Sequence, residues 1–192
     1  MTEKQTQGPQ RAWYQSSLPE PHKISVGWMQ KFKYFSWLYG KLSNVEGDVV
    51  ECGVGEGTTF SILSYLAGSD TTHKRSITGF DSFEGFPEPS LHDDSWRHPQ
   101  KGEWKVERAA VVELLEYIGI PASFPHLKVE LRKGFLNETL PKEPATPIAF
   151  LHIDVDLYDG YKDALENLFP RVSPGGVICF DEYREFSTKN PN

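Results

Sequence analysis

The stretch from Asp48 to Thr59, reading DVVECGVGEGTT, narrows the folds open to this chain more than any other part of it. A short apolar strand carrying Val49 and Val50 runs into Glu51 and Cys52, and then into glycines at alternate positions, Gly53, Gly55 and Gly57. Glycines so spaced remove every Cβ from a tight turn, so a ligand can lie against bare backbone. Beyond them Phe60, Leu63, Leu66 and Ala67 recur at helical spacing, with Thr58 or Thr59 as the expected N-cap. Strand, glycine turn and helix in that order form the first unit of a nucleotide-binding α/β sheet.

The spacing bears on which ligand. A dinucleotide fingerprint needs G-x-G-x-x-G, with a helix N-terminus facing a pyrophosphate. Here the third glycine comes one residue early and Glu51 stands two residues before the first. That arrangement suits S-adenosylmethionine better, because its sulfonium and ammonium groups favour a nearby carboxylate. The turn residues Glu51, Gly53, Val54, Gly55, Gly57 and Thr58 are therefore candidate cofactor contacts. A glycine turn in an ordinary α/β protein explains the motif equally well on its own, so the rest of the chain must decide.

The 192 residues suffice for one domain with a central sheet and helices on both faces, and a net charge of -7 argues against a nucleic-acid surface. No apolar run reaches membrane-spanning length and the N-terminus lacks a signal-peptide core, which places the protein in the cytoplasm. Residues 1–24, polar and proline-bearing, are expected to form a flexible arm ahead of a domain over 25–192. Cys52 and Cys179 both fall in expected strands and read as small buried hydrophobes.

From Ser25 to Leu42 a helix rich in aromatics is expected, with Trp28, Phe32, Phe35 and Trp37 serving core or subunit contacts, the latter leaving room for a homo-oligomer. A second strand, Ser76 to Phe80, leads into Asp81 and Ser82, where an acidic side chain can take both ribose hydroxyls of a nucleoside; a turn cap is the plain alternative. The long 86–104 loop, with its histidines and tryptophans, suggests a substrate lid. A packing helix is expected over Val106 to Ile118, with Ala109, Ala110, Val111, Leu114, Leu115 and Ile118 on one face, and a third strand over His126 to Leu131. Gly134 and Phe135 follow it, where they can cover an adenine or simply turn the chain.

The fourth strand, Pro147 to Asp156, is near-continuously apolar, as a central parallel strand requires. Alternation puts His152, Asp154 and Asp156 on one side, and acids emerging from a buried strand need a cation or a proton. A helix over Tyr158 to Phe169, with Leu165, Leu168 and Phe169 inward, then leads through Pro174-Gly175-Gly176 to a fifth strand over Val177 to Phe180. Asp181 and Glu182 end that strand. With Asp154 they can converge on one hard cation, for which carboxylates and waters suit Mg²⁺; helix caps or solvent-facing charges are the alternative.

Taken together, GDVVECGVGEGTT, GFDSFEGFPEP, KGFLNETLP, FLHIDVDLYDGYKDALENLFPRVSPGGVI and FDEY resemble the macrocin O-methyltransferase family. The resemblance implies a Rossmann-like class I methyltransferase sheet of about five parallel strands with helices on both faces, the C-terminal strands usual in that fold being absent before Asn192. It implies an S-adenosylmethionine-dependent, Mg²⁺-assisted O-methyltransferase acting on a hydroxyl of a sugar-bearing small molecule. Asp154, Asp181 and Glu182 match the metal ligands, Asp156 the base, and Gly53 and Asp81 the cofactor site. A non-catalytic cofactor-binding or assembly subunit, and a catechol-type methyltransferase, are the alternatives.

Overall fold

A computed structural model describes residues 25–94 and 97–181. The expected arm over 1–24 and the metal-ligand candidate Glu182 lie outside the described residues. The chain runs α1 (Val26–Tyr39), β1 (Asp48–Cys52), α2 (Thr58–Ser69), β2 (Ile77–Asp81), α3 (Arg108–Tyr117), α4 (Ile120–Ser123), β3 (Val129–Lys133), α5 (Leu136–Thr139), β4 (Ile148–Ile153), α6 (Tyr158–Leu168) and β5 (Val172–Phe180). The strands form one sheet in the order β3-β2-β1-β4-β5, every pairing parallel. The expected α/β sheet of five parallel strands is what the chain builds. No described helix is long and apolar enough to cross a membrane.

Burial on both faces explains the apolar strands. All six residues of β4 are buried. On one face Val49, Ala149 and Phe150 meet Phe35 of α1, Phe60 and Leu63 of α2, and Val111 and Leu115 of α3. On the other, Val50, Cys52, Leu151 and Ile153 meet Leu140 and, from α6, Ala164 and Leu168. Both cysteines are buried free thiols. In this order the chain winds outward from β1 in one direction and from β4 in the other, so the crevice between their carboxyl ends is the place where such sheets take ligands.

Several expectations are corrected. Gly57, in the left-handed region at φ 83°, caps α2 in place of Thr58 or Thr59. Within α3 only Val111 and Leu115 are buried, whereas Ala109, Ala110 and Ile118 are exposed; an apolar stripe is not buried where no element lies over it. Phe169 is 60% exposed because the helix gives way to a 3-10 turn over Phe169–Arg171. The third strand starts at Val129, since His126 uses its ring on the Gly68 carbonyl at 3.1 Å. In β5 the Pro174-Gly175-Gly176 segment is an irregularity inside the strand: its register against β4 jumps from Ile148 opposite Val172 to Phe150 opposite Val177. Finally, β4 stops at Ile153, so strand alternation does not govern Asp156, which sits in the left-handed region at φ 59°.

Candidate active site

Over the carboxyl ends of the strands lies a cavity of about 640 Å³. The turn after β1, the tip of β2, the segment after β3 and the segment after β4 all open into it. Of the sequence-derived candidates, Glu51, Gly53, Val54, Gly55, Thr58, Asp81, Ser82, Gly134, Phe135, Asp154, Asp156 and Asp181 line it. Gly57 does not; a Cβ there would stand 3.0 Å from Val111, so its role is to seat α2 on α3.

Two glycines set the floor. A Cβ on Gly53 would fall 1.7 Å from the Asp154 carbonyl oxygen, so only glycine lets the end of β1 pass this close to the end of β4. Gly55, at φ 52°, faces open space: a Cβ there would meet nothing within 4 Å. The bend is bare on its cavity side. Its shape is fixed by Asp81, whose Oδ2 accepts the N–H groups of Val54 and Gly55 at 2.9 Å each while Oδ1 accepts that of Phe83 at 2.7 Å. Oδ2 thereby uses both of its lone pairs, whereas Oδ1 keeps one, so this anchoring leaves Asp81 able to accept from a ligand through Oδ1.

A second group sits where β1, β4 and β5 end. Glu51 is 1% exposed and His152 is fully buried, their contact being 2.8 Å from His152 Nδ1 to Glu51 Oε1. Phe35 of α1 packs edge-on against the imidazole at 5.1 Å between ring centres. Glu51 Oε2 and His152 Nε2 have no hydrogen-bond partner among the described residues. Single donor atoms of His152, Asp154 and Asp181 all lie within 4.8 Å of one another. Burial pushes Glu51 up to about 7 against the opposing effect of His152, and burial followed by the charge of Asp181 raises Asp154 to about 6. Both carboxylates are thus held where ionisation is costly, the condition a bound cation relieves. Two carboxylates and an orphaned ring nitrogen are a donor set that fits a divalent ion.

Two basic side chains reach this region, and neither was singled out from the sequence. Lys31 of α1 places Nζ 3.5 Å from Asp181 Oδ1. Its signal was its position four residues before Phe35, the buried residue of that helix. Arg97 reaches in from the 86–104 loop and pairs with Asp156, Nη1 to Oδ1, at 2.8 Å. The same loop is tied to the start of α6: Asp93 Oδ1 accepts the Tyr158 N–H at 2.7 Å and the His92 and Tyr158 rings lie 4.3 Å apart. Phe86, Pro87 and Trp104 of that loop line the cavity, so the stretch expected as a lid forms part of its wall.

Comparison with known proteins agrees with this architecture. The sequence model of the family described as Macrocin-O-methyltransferase (TylF) matches residues 40–190. The 8-demethyl-8-(2,3-dimethoxy-alpha-L-rhamnosyl)-tetracenomycin-C 4'-O-methyltransferase of Streptomyces olivaceus is 34% identical over 144 residues, covering 72% of this chain and 54% of the relative. The demethyldecarbamoylnovobiocin O-methyltransferase of Streptomyces niveus is 30% identical over 146 residues, covering 73% and 54%. The chain spans about half the length of the curated relatives it matches. Among solved structures, the calicheamicin methyltransferase CalS11 superposes with a TM-score of 0.73 at 27% identity, covering 84% of this chain and 67% of that one. The O-methyltransferase NovP does so at 0.67 and 25%, covering 80% and 64%. The chain belongs to the macrocin O-methyltransferase family.

Proposed function

We propose that this chain is an S-adenosylmethionine-dependent O-methyltransferase, assisted by Mg²⁺, whose acceptor is a hydroxyl on a sugar-bearing small molecule. The observation that carries the reading is the convergence of the bare glycine bend, Asp81 and the Asp154–Asp181 carboxylates on one cavity. The sugar acceptor is supported by the names of the relatives, which include a methyltransferase of a rhamnosyl tetracenomycin and a mycinamicin III 3''-O-methyltransferase.

The glycine bend and Asp81 hold the methyl donor, with Gly134 and Phe135 closing over its base. Asp154 and Asp181 hold the cation, with Glu182 as a third ligand. When bound, the donor would supply an electrophilic methyl and the dication would favour ionisation of the acceptor hydroxyl. The remaining work belongs to the chain. Asp156 accepts the hydroxyl proton, for which Oδ2 serves while Oδ1 is held by Arg97. The cavity walls align oxygen with methyl, and the 86–104 segment keeps water out while they do so.

The test is transfer of labelled methyl from S-adenosylmethionine to a panel of deoxysugar glycosides and catechols, with Mg²⁺ and with a chelator. Label in the glycosides that disappears with chelation is the expected result. Label in the catechols alone overturns the acceptor class, and no label in any acceptor, with the donor bound, overturns the catalytic reading.

A further inference from the structure

Behind Asp154 and Asp181, where β1, β4 and β5 end, sits a group that the mechanism above leaves unused. His152 is fully buried in β4, yet its Nε2 has no hydrogen-bond partner among the described residues. An orphaned polar atom at such depth costs on the order of 1–3 kcal/mol, so it should be filled by something. Asp181 Oδ1 lies 3.9 Å from it. That distance is too long for a hydrogen bond. It is within the span of about 4.2 Å open to two donors that each lie about 2.1 Å from one ion.

The ring is also oriented. Glu51 Oε1 lies 2.8 Å from Nδ1 on the side away from Asp181. Phe35 blocks rotation from the α1 side. A carboxylate behind an imidazole keeps the proton on the nearer nitrogen and leaves the farther lone pair for a metal, an arrangement that recurs around metal-ligating histidines.

We infer that His152 Nε2 is itself a ligand of the bound cation, with Glu51 as the residue that positions it, so that the site is a mixed nitrogen–oxygen centre suited to Mn²⁺ or another borderline dication as well as to Mg²⁺. The inference rests on reading the Asp154–Asp181 end as the cation site. It predicts a selectivity that an all-carboxylate site lacks, because imidazole adds affinity for transition ions and little for Mg²⁺.

The experiment is electron spin-echo spectroscopy of the full chain loaded with Mn²⁺ alone, prepared once with ordinary histidine and once with histidine carrying the heavier nitrogen isotope. The expected spectrum shows directly bound nitrogen whose modulation changes with the label, and His152→Gln removes it while weakening Mn²⁺ binding about 10- to 100-fold. Glu51→Gln, which keeps the ligand but loses its anchor, retains the modulation with affinity lowered by about tenfold. Should His152→Gln not fold, the labelled wild-type spectra decide alone. Bound Mn²⁺ without nitrogen modulation, or modulation that survives in a folded His152→Gln, overturns the inference and leaves the methyl-transfer reading standing. Absence of any Mn²⁺ or Mg²⁺ binding overturns the inference and the Mg²⁺ part of that reading together, while donor binding, measured separately, is untouched.

Discussion

Arg75 and His152 are both buried polar side chains close to the sheet, and their surroundings differ in one respect. Arg75, 4% exposed, has four of its five guanidinium N–H groups engaged: Nε donates to Asp70, Nη1 to the Gly47 carbonyl, and Nη2 to the carbonyls of Leu42 and Val45. Asp70 in turn accepts the N–H groups of Thr72 and His73. This cluster ties the loop before β1 to the loop before β2. At the opposite ends of the strands, Glu51 and His152 leave Oε2 and Nε2 unpaired, and Asp154 and Asp181 crowd their charges together. A fully paired charge stabilises the fold; an unpaired one at equal depth is held for a ligand.

That contrast can be broken most severely at the paired end. Arg75→Met leaves a buried carboxylate and three carbonyls without their partner, so a loss of about 3–5 kcal/mol in unfolding free energy is expected by chemical denaturation. A loss below about 1 kcal/mol would mean that the cluster is not structural. At the other end the effect should appear in function alone. Asp154→Asn removes one of two crowded carboxylates, so its melting temperature should equal or exceed the wild type while cation-dependent methyl transfer falls about 100- to 1,000-fold. A fall in melting temperature as large as that of Arg75→Met would erase the distinction between the two regions.

The smallest effect concerns pH. Burial alone would raise Asp70, but the backbone N–H groups of His73 and Thr72 and the Arg75 guanidinium outweigh it, and its carboxyl is held below the usual range. Its contribution is therefore complete above the ordinary carboxylate value of about 4 and is lost as pH falls through the lowered folded value. Measured across the acid range, wild-type stability should drop more steeply than that of Asp70→Asn, whose profile lacks this limb. Parallel profiles would show that Asp70 contributes no such linkage.

The difference between the two ends also governs what could be read from the sequence. The strands were legible because two-sided burial demands continuous apolar runs such as IAFLHI, and the donor bend because only glycine tolerates the approach of Gly53 to the Asp154 carbonyl. The acids were legible because a charge at the end of a buried strand needs a reason. Lys31 and Arg97 were not, since α1 and the 86–104 loop carry them in by tertiary packing that no spacing encodes. The buried depth of His152 was visible as a strand position, but the pairing of its Nδ1 depends on Glu51, 101 residues away in the chain. The expected inward Phe169 failed for the converse reason: a helical period holds only while the helix lasts, and α6 ends one residue earlier.

Joint occupation of the cleft between β1 and β4 by a methyl donor and a divalent ion is tested most directly by calorimetric titration of the wild-type chain with S-adenosylmethionine, with and without saturating Mg²⁺. Saturable binding of one donor per chain in both titrations, with a separate heat for Mg²⁺ that Asp154→Asn abolishes while donor binding persists, is the predicted result. Absence of donor binding in either titration, or a Mg²⁺ heat unchanged in Asp154→Asn, would contradict it.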